Sequence, residues 1–261
     1  MARALDGLRI AVTRADGRSG PLADALAAEG AEVVDIPLTR IEALDPAPLA
    51  EAVAHWEQYR WVILTSVNAV RFLADALQAQ GRYSLSPCQL AVVGRATADA
   101  ALAAGWTVTV MPERFVAEAV LDALAARSDI EGARVLYPAA AGARDVLPAG
   151  LRALGATVDL VPVYHSAPDH AGQDRLRALA VRGGIDLVTV AAPSAVDALQ
   201  DALPPEHARR MPVACIGPVT ARAARMAGFP VAVEADSATP AALVRSIVAV
   251  RRRGGLPGAV E

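Results

Sequence analysis

The chain contains no lysine: all 25 of its basic residues, in a length of 261, are arginine. This removes the side chain needed for a Schiff base, for anchoring pyridoxal phosphate and for a phosphate-binding P-loop. A formal net charge of −3 and a pI near 5.8 argue against general nucleic-acid binding. The one basic run, Arg251, Arg252 and Arg253, reads as a helix end whose cations complement the dipole. Cys88 and Cys215 are the only cysteines, too few for a disulfide framework, and each lies beside an apolar strand-like run (CQLAVV, VACIG). They read as buried free thiols. No apolar stretch reaches the length of a membrane span, and MARALDGLR carries no signal-peptide core, so the expected setting is the cytoplasm, away from membranes.

Several chemical motifs are missing too. There is no G-x-G-x-x-G after a strand, no H-E-x-x-H, no C-x-x-C and no G-x-S-x-G elbow. His55, His165, His170 and His207 are scattered over separate segments, which gives no metal-ligand spacing. His165 and His170 read as surface residues.

What the chain does have is an internal repeat. GLRIAVT at Gly7 to Thr13 recurs as GARVLYP at Gly132 to Pro138, an offset of 125 that also carries Gly30 onto Gly155 and Pro37 onto Pro162. Ala69-Val70 falls on Ala195-Val196 at offset 126, and Gly94, Thr97 and Gly105 fall on Gly217, Thr220 and Gly228 at offset 123. A period this long is a duplicated domain-sized unit, so the expectation is a pseudo-symmetric two-lobed molecule with a cleft between the lobes.

With 54% apolar residues the chain has ample material for buried cores. Strand-length apolar runs (LRIAVT, AEVVDI, WVILT, LAVVG, TVTVM, RVLYP, TVDLVPVY, DLVTV, VACIG, VAVEA) alternate with alanine-rich helical stretches. Strands without polar alternation are buried on both faces, as in parallel sheets covered by helices. Gly30, Gly81, Gly105, Gly155 and Gly228 stand where helices should stop. The predicted fold is α/β: two doubly wound parallel-sheet lobes of five strands each, joined by a two-segment hinge. IPLTRIEALDP and VPVYHSAPDH occupy matching places in the repeat and read as antiparallel crossovers rather than core strands. Residues 1–37 with 166–261 would form lobe one, and 38–165 lobe two with its connectors.

In such sheets ligands bind at the carboxyl ends of strands, where helix N-termini present free N–H groups. Thr65-Ser66 follow WVIL, and Pro193-Ser194 follow DLVTVAA. Gly94-Arg95-Ala96-Thr97 and Gly217-Pro218-Val219-Thr220 form paired G-x-x-T turns. Glycine there admits a ligand to the backbone and threonine supplies a hydroxyl, although plain helix capping accounts for the same pattern. Arg14 follows the first strand, Arg144 follows Gly142 in the matching loop, and Arg95 and Arg71 lie near helix starts. A cation there opposes the dipole, so each reads either as an anion contact or as a solvated loop charge. Tyr164 is one of four tyrosines and lies in the inferred return connector; a phenol, ordinarily near pKa ~10, can donate a proton where the site assists it.

Taken in order, LRIAVTR, GAEVVDIPL, VILTSVNAV, LAVVGRATADAL, GARVLYP, GATVDLVPVYHSAP, PSAV and CIGPVTARAARMAG resemble the uroporphyrinogen-III synthase family over nearly the whole length. The resemblance implies a monomeric lyase of tetrapyrrole biosynthesis, needing no metal or organic cofactor, that closes hydroxymethylbilane into uroporphyrinogen III with inversion of the terminal pyrrole ring. It implies a transient contact with the enzyme that makes the bilane. It makes Tyr164 the catalytic residue that assists departure of the hydroxyl. Arg14, Thr65, Ser66, Asn68, Arg95, Thr97, Gly142, Arg144, Ser194 and Thr220 become the expected substrate contacts. Two departures stand out: the loop Pro138-Ala139-Ala140-Ala141 is unusually apolar, and Ala191-Ala192 replaces a small hydroxyl residue. The competing readings are a non-catalytic two-lobed tetrapyrrole-binding or sensor module and, more weakly, a nucleotide-using α/β enzyme.

Overall fold

A computed structural model of the chain describes residues 3–13, 20–114 and 116–256. It divides into two compact units, Met1–Ile41 with Ser166–Glu261, and Glu42–His165. The first unit opens with β1 (Arg9–Val12), α1 (Pro21–Ala28) and β2 (Glu32–Asp35), and β3 (Thr39–Ala43) spans the boundary. The second unit continues through α2 (Ala47–Ala54), β4 (Trp61–Leu64), α3 (Val67–Ala79), β5 (Gln89–Val92), α4 (Arg95–Ala103), α5 (Ala117–Ala125), β6 (Arg134–Ala140) and α6 (Val146–Ala153). The long β7 (Thr157–Pro168) leads back to α7 (His170–Val181), β8 (Leu187–Val190), α8 (Pro193–Ala202), α9 (Pro205–Ala208), β9 (Val213–Cys215), α10 (Pro218–Met226), β10 (Val231–Glu234) and α11 (Pro240–Arg252). Among the described residues no helix is long and apolar enough to cross a membrane.

The first unit's sheet has the order β10-β9-β8-β1-β2, with every pair parallel. Its two faces are covered separately. Leu22 and Leu26 of α1 pack with Leu243 and Ile247 of α11 on one face. Leu176 of α7, Leu199 of α8 and Ala224 of α10 cover the other. Strands such as β8, buried at all four positions, follow from this double cover.

The second unit's sheet has the order β3-β7-β6-β4-β5. The repeat is visible in its register: Arg9 pairs with Glu32, and Arg134 with Thr157, both residues displaced by 125. The pairs Val188–Val213 and Val62–Leu90 correspond at offsets of 126 and 123. The five glycines expected to stop helices all take positive φ, from 71° at Gly81 to 101° at Gly30, the left-handed turn that ends a helix.

Two expectations fail at the sheet's edges. TVTVM forms only an isolated bridge, Ala91 to Val110, because Thr109 Oγ1 accepts from Leu90 N–H at 3.3 Å and a side chain enters the ladder. The two connectors, read as antiparallel crossovers rather than core strands, do run antiparallel but join the sheet, the first as β3 and the second as the end of β7. The bonds Leu44 N–H to Val163 O at 3.1 Å and Asp169 N–H to Leu38 O at 2.9 Å link them. Across the same register His165 Nε2 meets Glu42 at 2.9 Å. Both cysteines are free; Cys215 is buried, and Cys88, half-buried, donates to Tyr59 O at 3.1 Å. Burial pushes these thiols up to about 11 and about 12 respectively.

At the amino end of the second sheet, Tyr59 Oη donates to Asp159 Oδ2 at 2.7 Å. Arg134 Nε donates to the same oxygen at 2.7 Å. Burial, followed by the bond to Asp159, pushes the Tyr59 phenol up to about 12. The unfolded chain therefore loses this proton first, near ~10, so the contribution is whole below pH ~10 and is lost as pH rises toward about 12. Thermal stability measured across this window should decline, and Tyr59→Phe should flatten part of the decline. Superimposable curves would exclude Tyr59 as its source.

Candidate active site

In the second unit the chain runs from β4 to β5 on one side and from β6 to β7 on the other, so the paired strands β4 and β6 form its topological switch point. Ligands bind outside the carboxyl ends of strands at such points. A cavity of about 350 Å³ lies there, lined by Thr65 and Ser66 after β4, Tyr137 and Ala140 of β6, Arg144 before α6, and Tyr164 of β7, with Val93, Val116 and Leu147 as apolar wall. The starts of α3, α5 and α6 all reach it, which presents N–H groups and positive dipole ends to a ligand.

A β-bulge positions Tyr164. On β7 the pairing jumps from Ala139–Pro162 to Ala140–Tyr164, leaving Val163 as an extra residue. The inserted residue shifts the alternation locally, and the adjacent Val163 and Tyr164 are both buried. Tyr164 stacks on Phe72 of α3, with centroids 5.7 Å apart and planes 10° apart, and its backbone oxygen accepts from Ala141 N–H at 2.7 Å. The phenol donates to Ser66 Oγ at 3.0 Å. Ser66 is the N-cap of α3 and accepts from Ala69 N–H at 3.1 Å, a bond that fixes the serine rotamer.

Tyr137 comes from the opposite face, packed in the core with Leu147 and Leu151 of α6 and Val120 and Leu124 of α5. It is 3% exposed. Burial raises its pKa above the ordinary phenol value, and Tyr164 nearby adds to the rise; the Thr65 side chain and the charge of Arg144 oppose it. Sequence reasoning passed over this residue. The available signal was a hydroxyl-bearing aromatic in a strand where the first repeat copy carries Val12.

Four of the residues singled out in the sequence, Thr65, Ser66, Arg144 and Tyr164, thus line one cavity. Asn68, Arg95, Thr97 and Gly142 belong to the same unit but are not in its lining. Asn68 lies in the first turn of α3, and exposed Arg95 opens α4 while Thr97, one turn in, is buried. Gly142 makes the turn after β6 with φ 75°. Arg71 lies further along α3, its guanidinium 5.5 Å from the Phe72 ring centroid. Ser194, exposed on α8, and Thr220, buried on α10, belong to the first unit. Arg14 lies outside the described residues. The apolar segment after β6, expected as a loop, continues that strand through Ala140, and the alanines let it pair with β7 to its end.

Comparison with known proteins shows what the chain is similar to. The family model described as uroporphyrinogen-III synthase HemD matches residues 20–245. A uroporphyrinogen-III synthase of Synechococcus elongatus is 37% identical over 179 residues, which are 67% of this chain and 67% of that one. Among solved structures, a mutant uroporphyrinogen III synthase of Thermus thermophilus matches with TM-score 0.65 and 18% identity, over 95% of this chain and all of that one. A uroporphyrinogen-III synthetase of Helicobacter pylori matches with TM-score 0.61 and 18% identity, over 93% and 99% respectively. These two likenesses establish the shared two-sheet α/β fold. Together with the family match over most of its length, they show that the chain belongs to the uroporphyrinogen-III synthase HemD family.

Proposed function

We propose that the switch-point cavity of the second unit receives the reacting end of hydroxymethylbilane, and that Tyr164 assists loss of its hydroxyl. Family membership makes the chain a lyase of porphyrin biosynthesis; the proposal concerns how its residues act. The observation that carries it is the placement of Tyr164 in the cavity, held by Phe72 and bonded to Ser66. The phenolic proton passes to the departing hydroxyl, which leaves as water, and the substrate becomes an azafulvenium cation whose charge is discharged when ring closure finally releases a pyrrole proton. Ser66 Oγ already accepts from Ala69 N–H, so its own proton can turn to the phenolate once Tyr164 has given its proton away. The substituted carbon of the terminal ring then attacks to give a spiro intermediate, and fragmentation and reclosure deliver the inverted ring.

The bilane closes unaided to the uninverted isomer, so the protein's chief task is geometric. A cavity of about 350 Å³ lies at the small end of ligand pockets, roughly 300–1,000 Å³, and suits one substituted pyrrole ring rather than four. Helix starts and Arg144 supply anion contacts without a basic net charge. Asn68, Arg95, Thr97 and Gly142, with Ser194 and Thr220 of the first unit and Arg14, remain proposed substrate contacts. The setting we propose is a monomeric cytoplasmic enzyme that takes its substrate by transient contact with the bilane-forming enzyme.

Purified protein given fresh bilane should yield the type III isomer in excess over type I, as resolved by chromatography. Type I alone at the uncatalysed rate would overturn the reading, and tight tetrapyrrole binding without turnover would favour the non-catalytic module.

A further inference from the structure

The ring stack that holds Tyr164 stands between two cavities. Tyr164 lines the switch-point cavity and Phe72 does not. Phe72 lines a separate cavity of about 330 Å³, and Tyr164 does not. The bulge in β7 divides the same way, with Val163 in the lining of the Phe72 cavity and Tyr164 in that of the other. Both contacts that fix Tyr164, one through its ring and one through its backbone, thus form a partition with space on either side. Leu44, Leu49, Ala76 and Ala79 give the second cavity apolar wall between the α2 and α3 segments, and Gln80 Nε2 donates to Ala50 O at 2.7 Å from one segment to the other. The charged groups in its lining are Asp45 and Asp75, both exposed, and no cation lines it among the described residues. Asp45 Oδ1 accepts from Ala47 N–H at 3.0 Å, and Asp75 forms no ion pair among the described residues. Exposed carboxylates stand where the cavity opens to water, and they repel a polyanion such as the bilane. The cavity is therefore no extension of the substrate site.

We infer that this cavity is a second ligand site, one that takes a small aromatic cation, and that its occupant is felt at Tyr164 through the ring of Phe72. The site stands without the functional reading; only its bearing on catalysis rests on that reading. A volume of about 330 Å³ lies at the small end of ligand pockets, roughly 300–1,000 Å³, and admits a single ring rather than a helix of another protein. The apolar wall suits an aromatic body. The two carboxylates suit a planar amidinium, which they can hold by charge-assisted hydrogen bonds as they would a guanidinium. Coupling follows from packing, since side chains in contact have few joint arrangements. A ligand that prefers one position of the Phe72 ring favours the position of Tyr164 that goes with it.

In NMR titration the whole chain should bind benzamidine at least about tenfold more tightly than benzoate, two probes that share a ring and differ in the sign of their charge. The double variant Asp45→Asn with Asp75→Asn changes two exposed positions and keeps a side-chain acceptor for Ala47 N–H, so it should fold as the parent does and lose that preference. Ala79→Leu, also at an exposed position, should fill the space and weaken benzamidine about tenfold. In protein carrying carbon-13 in its tyrosine rings, benzamidine should shift the Tyr164 resonance, identified by its disappearance in Tyr164→Phe. Phe72→Leu should bind benzamidine within about threefold of the parent and yet lose most of that shift. Equal binding of benzamidine and benzoate, or a preference that survives in the double variant, would overturn the ligand class. A shift as large in Phe72→Leu as in the parent would overturn the link to Tyr164. Sedimentation as a dimer that benzamidine dissociates would assign the cavity to a second copy of the chain and overturn the ligand site. None of these readouts needs turnover, so they stand or fall apart from the isomer assay.

Discussion

Tyr164→Phe is expected to lower kcat by about 10²-fold, the lower end of what a positioned general acid contributes, while KM changes little and the protein stays folded. The ring is retained, so the parallel stack on Phe72 at 5.7 Å survives and the bulge keeps its packing. What disappears is the hydrogen bond to Ser66 at 3.0 Å, worth about 1 kcal/mol, and the transferable proton. Ser66→Ala supplies the contrast. It removes the α3 N-cap bond to Ala69, at about 1 kcal/mol of stability, but leaves the phenolic proton, so its loss of kcat should be smaller. Because bilane closes spontaneously to type I, the Tyr164→Phe reaction should also show a lower type III fraction at a given substrate concentration. Initial rates with isomer analysis, beside circular dichroism for the fold, decide the matter. A variant as fast as the parent would remove Tyr164 from the chemistry.

The architecture was written into the chain more plainly than the site. Buried parallel strands show as unbroken apolar runs, and glycines at left-handed helix ends show as themselves, so the five stops at Gly30, Gly81, Gly105, Gly155 and Gly228 were readable one by one. Duplication doubled the signal: each strand pairing of one sheet predicts a pairing of the other at nearly the same offset, and the registers obey this. Edge strands were less legible because their pairing depends on neighbours rather than on their own pattern. TVTVM has strong strand propensity, yet Thr109 diverts the ladder, while the proline-flanked TRIEA finds a partner in β7. The site was harder still. Thr65, Ser66, Arg144 and Tyr164 could each be named from strand ends and resemblance, but a one-residue bulge at Val163 decides which way Tyr164 points. Period-two alternation carries no warning of it. Tyr137 was hidden for the opposite reason: it sits in register in an apolar strand, where an aromatic residue reads as core. Core it is, and it lines the cavity as well.

The largest loss of stability from a small change is expected at Gly172. This residue lies in the first turn of α7, just after β7 has returned the chain to the first unit. Its N–H donates to the N-cap carboxylate of Asp169 at 2.9 Å, and Asp169 N–H in turn donates to Leu38 O at 2.9 Å, which draws the helix start onto the segment before β3. A Cβ at Gly172 would run into the backbone carbonyl of Pro37, meeting its oxygen and its carbon. That carbonyl has little room to yield, since proline restricts its own backbone and its neighbours Ile36 and Leu38 are fully buried. Two effects oppose each other in Gly172→Ala. Alanine gains up to about 1 kcal/mol of helix propensity, whereas overpacking against an unyielding backbone costs about 3 kcal/mol or slightly more. The clash should win by about 2 kcal/mol, which for a protein of this size lowers Tm by about 4–8 °C. Gly150→Ala is the control: there the added methyl meets only the branched end of the Leu121 side chain, which can turn aside, so propensity offsets most of the crowding and Tm should move by less than half as much. Calorimetry on the two variants tests the argument. If Gly172→Ala melts at or above the parent temperature, the Pro37 carbonyl is free to move and the rigid junction described for the start of α7 does not exist.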